Sequence, residues 1–383
     1  MTASNGNRRW YIPLLAYLIL ASISLAFLEG ASRLALGHLE EISRVARIFS
    51  QGSGQQLDAY EVAAVDNPLH WRLKPGYEAD VKTVVSQKME QGKFLSVDAL
   101  IEQGNLKNIP ARGVLRVNSA GFKGPELATD KADTRVVTIG ESTTFGFGPF
   151  DYPSAMRWEF SRQGKSVEVV NAGIEGYSTR NILIELDRII SIKPEIAVIY
   201  VGWNDLFMDD ESFCVPCRYS SFAKIVLNVL KRMQKVDSKT QNIAIADDPS
   251  FSRLDGYEPA AMENIHEIIQ RLKAANVQPV LVTLAGLYLE GFEKRPKVGG
   301  FAPLPVFIDN PVYFAKMSAI FNRRLRLLAK RENIQLIDAE EWSREALNPR
   351  FEYFTDSVHM DARALSKMGI FIAQALIDDG LVF

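Results

Sequence analysis

The latter part of this 383-residue chain predicts an α/β fold, with a central five-stranded parallel sheet that is covered by helices on both faces. Two observations support this prediction. After Asp133, short apolar runs rich in β-branched residues alternate regularly with longer amphipathic stretches. Apolar residues make up 47% of the chain and charged residues 23%, which is ordinary for a globular protein with a sizeable core.

The predicted strands are apolar on both sides, as expected for strands that are buried between two helical layers. In such folds ligands bind beyond the carboxyl ends of the strands. The five strands are predicted at Arg135–Ile139, Val167–Val170, Ile196–Val201, Pro279–Leu284 and Ile334–Ile337. The helices are predicted at Tyr152–Arg162, Thr179–Ile192, Ala260–Ala275, Pro311–Lys330 and Ala362–Ile377. Insertions at about 206–256 and 285–310 are long enough to wall a groove.

The N-terminus predicts a membrane anchor. Residues 10–28 carry no charge, and as a helix they nearly span a hydrocarbon core of roughly 30 Å. The run is long for a cleavable signal peptide and lacks a good cleavage site, which favours an uncleaved anchor. A soluble core helix of this length would normally show a polar stripe. Arg8 and Arg9 predict that residues 1–9 form a cytoplasmic tail and that the rest is periplasmic, although Arg33, Arg44 and Arg47 weaken that asymmetry.

Residues 29–130 form an extension between the anchor and the α/β domain, which we place at residues 131–383. Residues 39–49 have apolar positions at helical spacing and suit a juxtamembrane helix, while residues 51–56 are typical of a flexible joint. Turns are predicted at Asn118–Gly121 and Lys123–Pro125.

Charge and cysteine content exclude some functions. The formal net charge is −2 and no long basic run occurs, so we expect no nucleic-acid partner. Cys214 and Cys217 are too few for a structural zinc site, and none of the four histidines lies at metal-ligand spacing from them. An exported protein would allow a disulfide between the two cysteines, and two unlinked thiols are an equal alternative. These residues therefore predict no structural metal site.

The first candidate motif, Gly140–Gly146, follows the first predicted strand. A small residue at a strand end, followed by a turn, would expose Ser142 above the sheet. A phosphate-binding loop is the rival interpretation, but the lysine that such a loop needs is missing. Taken alone, a serine in this position is more often a simple helix cap.

Two more motifs follow the second and third strands. Asn171–Tyr177 contains Gly173 and Gly176, and a glycine lets a backbone N–H approach a ligand closely. Gly202–Asp205 contains Asn204, whose side-chain N–H could donate to a developing oxyanion. Each motif alone is also compatible with an ordinary turn.

The fourth motif, Thr355–Met360, lies between the fifth strand and the last helix. Asp356 and His359 are three positions apart, so on a helical turn their side chains are neighbours. A carboxylate there would hold the imidazole in one tautomer and leave its other nitrogen free to accept a proton from a serine. The spacing alone is a weak signal.

Together the four motifs resemble the SGNH hydrolases, also called GDSL-like, because they occur in order and each follows a predicted strand. The resemblance covers roughly residues 133–383 and implies a flavodoxin-like three-layer α/β/α fold. It implies that Ser142 is the nucleophile, His359 its base and Asp356 the acid that orients His359. It assigns the oxyanion hole to the backbone N–H groups of Ser142 and Gly176 and to the side chain of Asn204, with Gly173 as a second candidate. One departure is Glu141, where the family usually has aspartate.

The resemblance implies a serine ester hydrolase that forms an acyl-enzyme and requires neither a metal nor an organic cofactor. We expect its substrate to be an acylated glycan of the cell envelope or an acyl lipid. Two alternatives stay open: an O-acyltransferase that passes the acyl group to a sugar hydroxyl, and a non-catalytic envelope assembly protein that has kept the fold.

Overall fold

The computed structural model describes residues 22, 24–34, 60–62, 70–80, 114–129, 134–146, 150–208, 220, 222, 254–290 and 311–383. Within these ranges, nine strands and eight α-helices are named β1–β9 and α1–α8 in chain order. The predicted juxtamembrane helix, the flexible joint, both cysteines and most of the two insertions lie outside the described residues.

The central sheet has five parallel strands, as predicted. The strand order is β6-β5-β7-β8-β9. The first strand, β5, therefore lies second from one edge, β6 forms that edge, and β7, β8 and β9 follow in order on the other side of β5. All four pairings are parallel. The switch in direction lies between β5 and β7, where α/β folds of this kind place their ligands. The strands are β5 (Thr134–Gly140), β6 (Val167–Gly173), β7 (Ile196–Tyr200), β8 (Gln278–Val282) and β9 (Gln335–Ile337).

All five predicted helices are present, with ends that differ by at most two residues. They are α2 (Tyr152–Arg162), α3 (Thr179–Ser191), α5 (Ala261–Ala274), α6 (Pro311–Glu332) and α8 (Ala362–Asp378). Three short helices were not predicted: α1 (Ser142–Phe145), α4 (Trp203–Met208) and α7 (Ala339–Ala346). Each begins within three residues of the end of a strand of the sheet. Each is too short to show a helical period in the sequence.

The helices pack in two groups that cover the sheet. Helix α2 packs against α8 and β6, while α3 packs against α5 and β5. The strands between them carry the core: Val136, Val137 and Ile139 of β5 are fully buried, and every residue of β7 is buried. The continuous apolar character of these strands is therefore explained by burial on both faces.

The extension contributes two small antiparallel sheets, β1 (Tyr60–Val62) with β2 (Trp71–Leu73), and β3 (Glu78–Asp80) with β4 (Val114–Arg116). The predicted turn after β4 is confirmed, because Asn118 Oδ1 accepts the backbone N–H groups of Ala120 and Phe122. Trp71, Leu73 and Phe122 are buried in the same apolar core as the central sheet. The described part of the extension is thus packed onto the α/β domain.

Residues 24–34 are helical, and most of the predicted anchor at residues 10–28 lies outside the described residues. Among the residues that the structure describes, no helix is both long enough and apolar enough to cross a membrane.

Candidate active site

The four motifs meet at the carboxyl edge of the sheet. Ser142 is the first residue of α1, immediately beyond β5. The turn requires a glycine at position 140, since a Cβ there would lie 2.1 Å from Thr144 Oγ1 and 2.4 Å from the carbonyl oxygen of Tyr200. The close contact between the end of β5 and the following turn therefore fixes the position of the Ser142 backbone.

Ser142, His359 and Asp356 form a hydrogen-bonded chain. Ser142 Oγ lies 2.7 Å from His359 Nε2 across a separation of 217 residues. His359 Nδ1 lies 2.6 Å from Asp356 Oδ2. Both distances are within hydrogen-bond reach, so Nδ1–H can donate to the carboxylate while Nε2 accepts the hydroxyl proton of Ser142. The structure thus brings together the three side chains that the sequence analysis selected.

The loop itself holds Asp356 in place. Asp356 Oδ1 accepts the backbone N–H groups of Val358 at 2.9 Å and His359 at 2.7 Å. Burial opposes ionisation of Asp356, but its pKa is lowered because His359 and these hydrogen bonds stabilise the carboxylate. The His359 side chain remains 39% exposed, so the imidazole can be reached from solvent.

The two candidate oxyanion glycines have different surroundings. The backbone N–H of Gly173 donates to Asn171 Oδ1 at 2.8 Å, and a Cβ at position 173 would lie 2.4 Å from the backbone nitrogen of Phe145. Gly173 therefore serves close packing of α1 against β6. Gly176 has a φ of +79°, a conformation that glycine adopts readily, and its backbone N–H makes no hydrogen bond within the described ranges. Of the two, only Gly173 has its N–H occupied by a partner within the part of the chain that the structure describes.

The side-chain amide of Asn204 is held by a hydrogen bond from one of its two N–H groups. Its Nδ2 donates to the carbonyl oxygen of Tyr177 at 2.8 Å, which uses one of the two N–H bonds of the amide. The carbonyl that accepts it belongs to the residue directly after Gly176. The side chain of Asn204 and the glycine loop are therefore linked to each other.

In the sequence Glu141 is only a departure from the family pattern, yet in the structure it connects the Gly140–Gly146 motif to the Gly202–Asp205 motif. Its fully buried carboxylate accepts the backbone N–H groups of Gly202 at 3.1 Å, Trp203 at 2.7 Å and Asn204 at 2.7 Å. Burial, and secondarily the Asp205 carboxylate, raise the pKa of Glu141 to about 8, whereas the three donors act in the opposite direction. An acidic residue beside the nucleophile was a visible signal, but its partners lie more than 60 positions away.

Other residues singled out in the sequence have structural surroundings. Trp203 is buried, with its ring centroid 5.9 Å from that of Phe314, so it packs in the core. The side chain of His266 in α5 is partly exposed, and its Nδ1 lies 3.1 Å from Glu332 Oε1. Within the described part of the chain, no group of histidine, cysteine, aspartate and glutamate side chains is arranged to hold a metal ion.

The chain matches the GDSL-like lipase/acylhydrolase family over residues 138–364, which is more than half of its length. It therefore belongs to that family, and it is an ester hydrolase of the SGNH type. No curated protein matches the chain.

Several solved structures are similar to it. The acetyl xylan esterase AlAXEase is 17% identical, with a TM-score of 0.41 over 63% of this chain and 99% of the other. A putative acylhydrolase from Bacteroides fragilis is 20% identical, with a TM-score of 0.39 over 67% of this chain and 91% of the other. The acetylxylan esterase Axe2 from Geobacillus stearothermophilus is 16% identical, with a TM-score of 0.38 over 65% and 94%. The family assignment stands on the family match alone.

Proposed function

We propose that this ester hydrolase acts through an acyl-enzyme on Ser142, with His359 as base and Asp356 as the residue that orients it. The observation that carries the proposal is the continuous hydrogen-bonded chain of 2.7 Å and 2.6 Å that joins the three side chains. The pKa of the Asp356 carboxyl is lowered, so the carboxylate beside His359 Nδ1 is ionised and can stabilise the imidazolium.

In the first step Ser142 Oγ attacks the ester carbonyl while its proton passes to His359 Nε2. The negative charge on the carbonyl oxygen is stabilised by the N–H groups of Ser142, Gly176 and Asn204. The alcohol then leaves with the proton from His359. In the second step His359 takes a proton from water as the water oxygen attacks the acyl-enzyme. The bond to Ser142 Oγ then breaks, His359 returns the proton to Ser142 Oγ, and the acid is released.

The substrate class that we propose is an O-acyl ester, and in particular an acetyl ester, of an envelope glycan. The partial exposure of His359 supports access by a bulky substrate, because a polymer can reach this base from outside. Acyl lipids are the second class to test. In both cases the acyl group is transferred to Ser142 Oγ and the remainder of the substrate leaves as an alcohol.

We further propose that residues 10–28 anchor the protein and that the catalytic domain lies outside the cytoplasm, as the uncharged run after Arg8 and Arg9 suggests. A reporter fused after Phe383 should be active only if it functions outside the cytoplasm. Thiol labelling of the intact protein should find Cys214 and Cys217 blocked until reductant is added. A cytoplasmic C-terminus would contradict the topology and the envelope substrate, whereas free thiols would contradict only the disulfide.

The decisive experiment is labelling of the purified protein with a fluorophosphonate, which reacts with activated serines, using Ser142→Ala as the matched control. We expect one label per chain in the parent protein and none in the variant. Acetylated glycans and acyl esters are then screened, with free acid and acyl transfer to oligosaccharide measured separately. Transfer in excess of acid release would make the enzyme an O-acyltransferase. Absence of labelling would favour the non-catalytic assembly protein.

A further inference from the structure

Part of the extension contacts the loop that holds the proposed oxyanion donors. Residues 70–73, which comprise His70 and strand β2, are named the strap. The strap lies well before residue 138, where the family match begins. Trp71 Nε1 donates to the carbonyl oxygen of Glu175 at 3.2 Å, and the Tyr177 hydroxyl donates to the carbonyl oxygen of Trp71 at 2.5 Å. These two bonds flank Gly176 on both sides.

The aromatic rings strengthen this contact. The Trp71 and Tyr177 ring centroids are 5.3 Å apart with the planes at 74°, an edge-to-face arrangement that aromatic pairs favour. Both side chains are buried. Two directional hydrogen bonds and a ring contact therefore define the position of the loop more narrowly than apolar packing alone would.

A buried polar cluster holds the strap against α3. His70 Nε2 lies 2.7 Å from Glu185 Oε1 and 3.0 Å from the Tyr177 hydroxyl. Arg72 Nε donates to the same carboxylate at 2.7 Å, and Arg188 Nε donates to its other oxygen at 2.6 Å. Since a buried carboxylate of this kind needs several partners in fixed places, the cluster sets the register of the strap on the helix.

The link reaches the site through Tyr177. Its hydroxyl is bound by the strap, and its carbonyl oxygen accepts the Nδ2–H of Asn204 at 2.8 Å. One residue therefore connects the strap to Asn204 directly and to Gly176 through the peptide bond. Displacement of the Tyr177 ring would move both proposed donors together.

We propose that the strap is a positioning element for the oxyanion hole, in which Trp71 and His70 act through Tyr177 on Gly176 and Asn204. The proposal rests on the proposed function, since it assigns a role in the same reaction. It predicts that the extension is required for full turnover and not only for stability. None of the strap residues touches the reacting atoms in this arrangement.

The test uses the full-length protein and hydrolysis of p-nitrophenyl acetate. Tyr177→Phe removes only the hydroxyl, and Trp71→Phe removes the indole N–H while keeping an aromatic ring. We expect each variant to lower kcat about tenfold with KM within about twofold, because the loss is in transition-state stabilisation. Trp342→Phe is the matched control: Trp342 stacks on Phe371 of α8, outside the strap and the site, and the change should leave kcat unaltered.

A double-mutant cycle separates positioning from general destabilisation. In an Asn204→Ala background, Tyr177→Phe should lower kcat less than it does alone, because the Asn204 donor is already absent and only the effect through Gly176 remains. Equal factors in both backgrounds, or unchanged kcat with a lowered Tm in the single variants, would overturn the proposal. A parent protein that neither hydrolyses the ester nor reacts with fluorophosphonate would instead overturn the proposed function, and the strap's role with it.

Discussion

The two sides of the proposed site are constructed differently. On the base side, His359 is oriented by Asp356, and Asp356 in turn accepts backbone N–H groups from the same short loop. On the oxyanion side, the loops that carry Gly176 and Asn204 are held by Glu141, Tyr177 and Trp71, whose hydrogen bonds span 62 and 106 positions. One side is a local loop structure, and the other is assembled from distant parts of the chain.

The difference follows from what each side does. A base must meet the substrate, and the His359 side chain is 39% exposed. Oxyanion donors work by being fixed before the charge develops, so their supports gain from burial. Glu141, Glu185 and Tyr177 are accordingly among the most buried polar or hydroxyl-bearing side chains in the described part of the protein.

The largest expected effect comes from Ser142→Ala, because without the nucleophile neither the base side nor the oxyanion side of the proposed site can act. We expect kcat to fall about 10⁴-fold or more, because the nucleophile is lost and only the oxyanion donors and substrate binding remain. Esterase assays and circular dichroism check the result together. Full turnover by a well-folded variant would contradict the assignment of the nucleophile.

Asn204→Ala should affect the oxyanion side alone. We expect kcat to fall about 10²–10³-fold with little change in KM, since the amide donor is used mainly in the transition state. Steady-state kinetics on one ester substrate measures both constants. A change confined to KM would show that Asn204 binds the substrate in its ground state instead.

The same contrast explains what could be predicted from the sequence. The strands and long helices were visible because their apolar periods are local, and Asp356 with His359 was visible because the pair lies within one turn. The partners of Glu141 and the strap could not be found this way. In the sequence His70 is an isolated histidine of the extension with no motif around it, whereas the structure buries it beside Glu185, 115 positions away.

Glu141→Gln tests whether the buried carboxylate matters for geometry. Above about pH 8, where Glu141 is ionised, its two oxygens accept all three backbone N–H groups. Glutamine keeps an oxygen for Gly202 and Trp203 but directs an NH₂ group at the backbone N–H of Asn204, so two donors would face each other in an assay at that pH. We expect kcat to fall about tenfold and the free energy of unfolding to fall by about 1–3 kcal/mol. Glu340→Gln, also buried but paired with Arg326, should reduce stability without lowering kcat. Equal kcat losses in both variants would deny Glu141 a specific role.

The expected effect that is smallest for turnover is on the pH dependence of stability, and it concerns the polar cluster under the strap. Burial opposes ionisation of Glu185, but His70, Arg188 and Arg72 lower its pKa to about 2. Because the folded-state pKa lies below the ordinary value of 4.5, this carboxylate contributes stability that is complete above about pH 4.5 and is lost as the pH falls towards 2. The contribution is on the order of 3 kcal/mol for a shift of this size.

Glu185→Gln should therefore be less stable than the parent protein at neutral pH and should lose less stability between about pH 4.5 and 2. Urea unfolding at a series of pH values measures both differences. The matched control is Asp187→Asn on the same helix, whose side chain is 88% exposed in its ion pair with Arg271. An exposed pair contributes little, so this variant should keep the pH dependence of the parent protein. If Glu185→Gln also kept it, the cluster would not stabilise the ionised carboxylate, and the strap would be held on α3 by apolar packing alone.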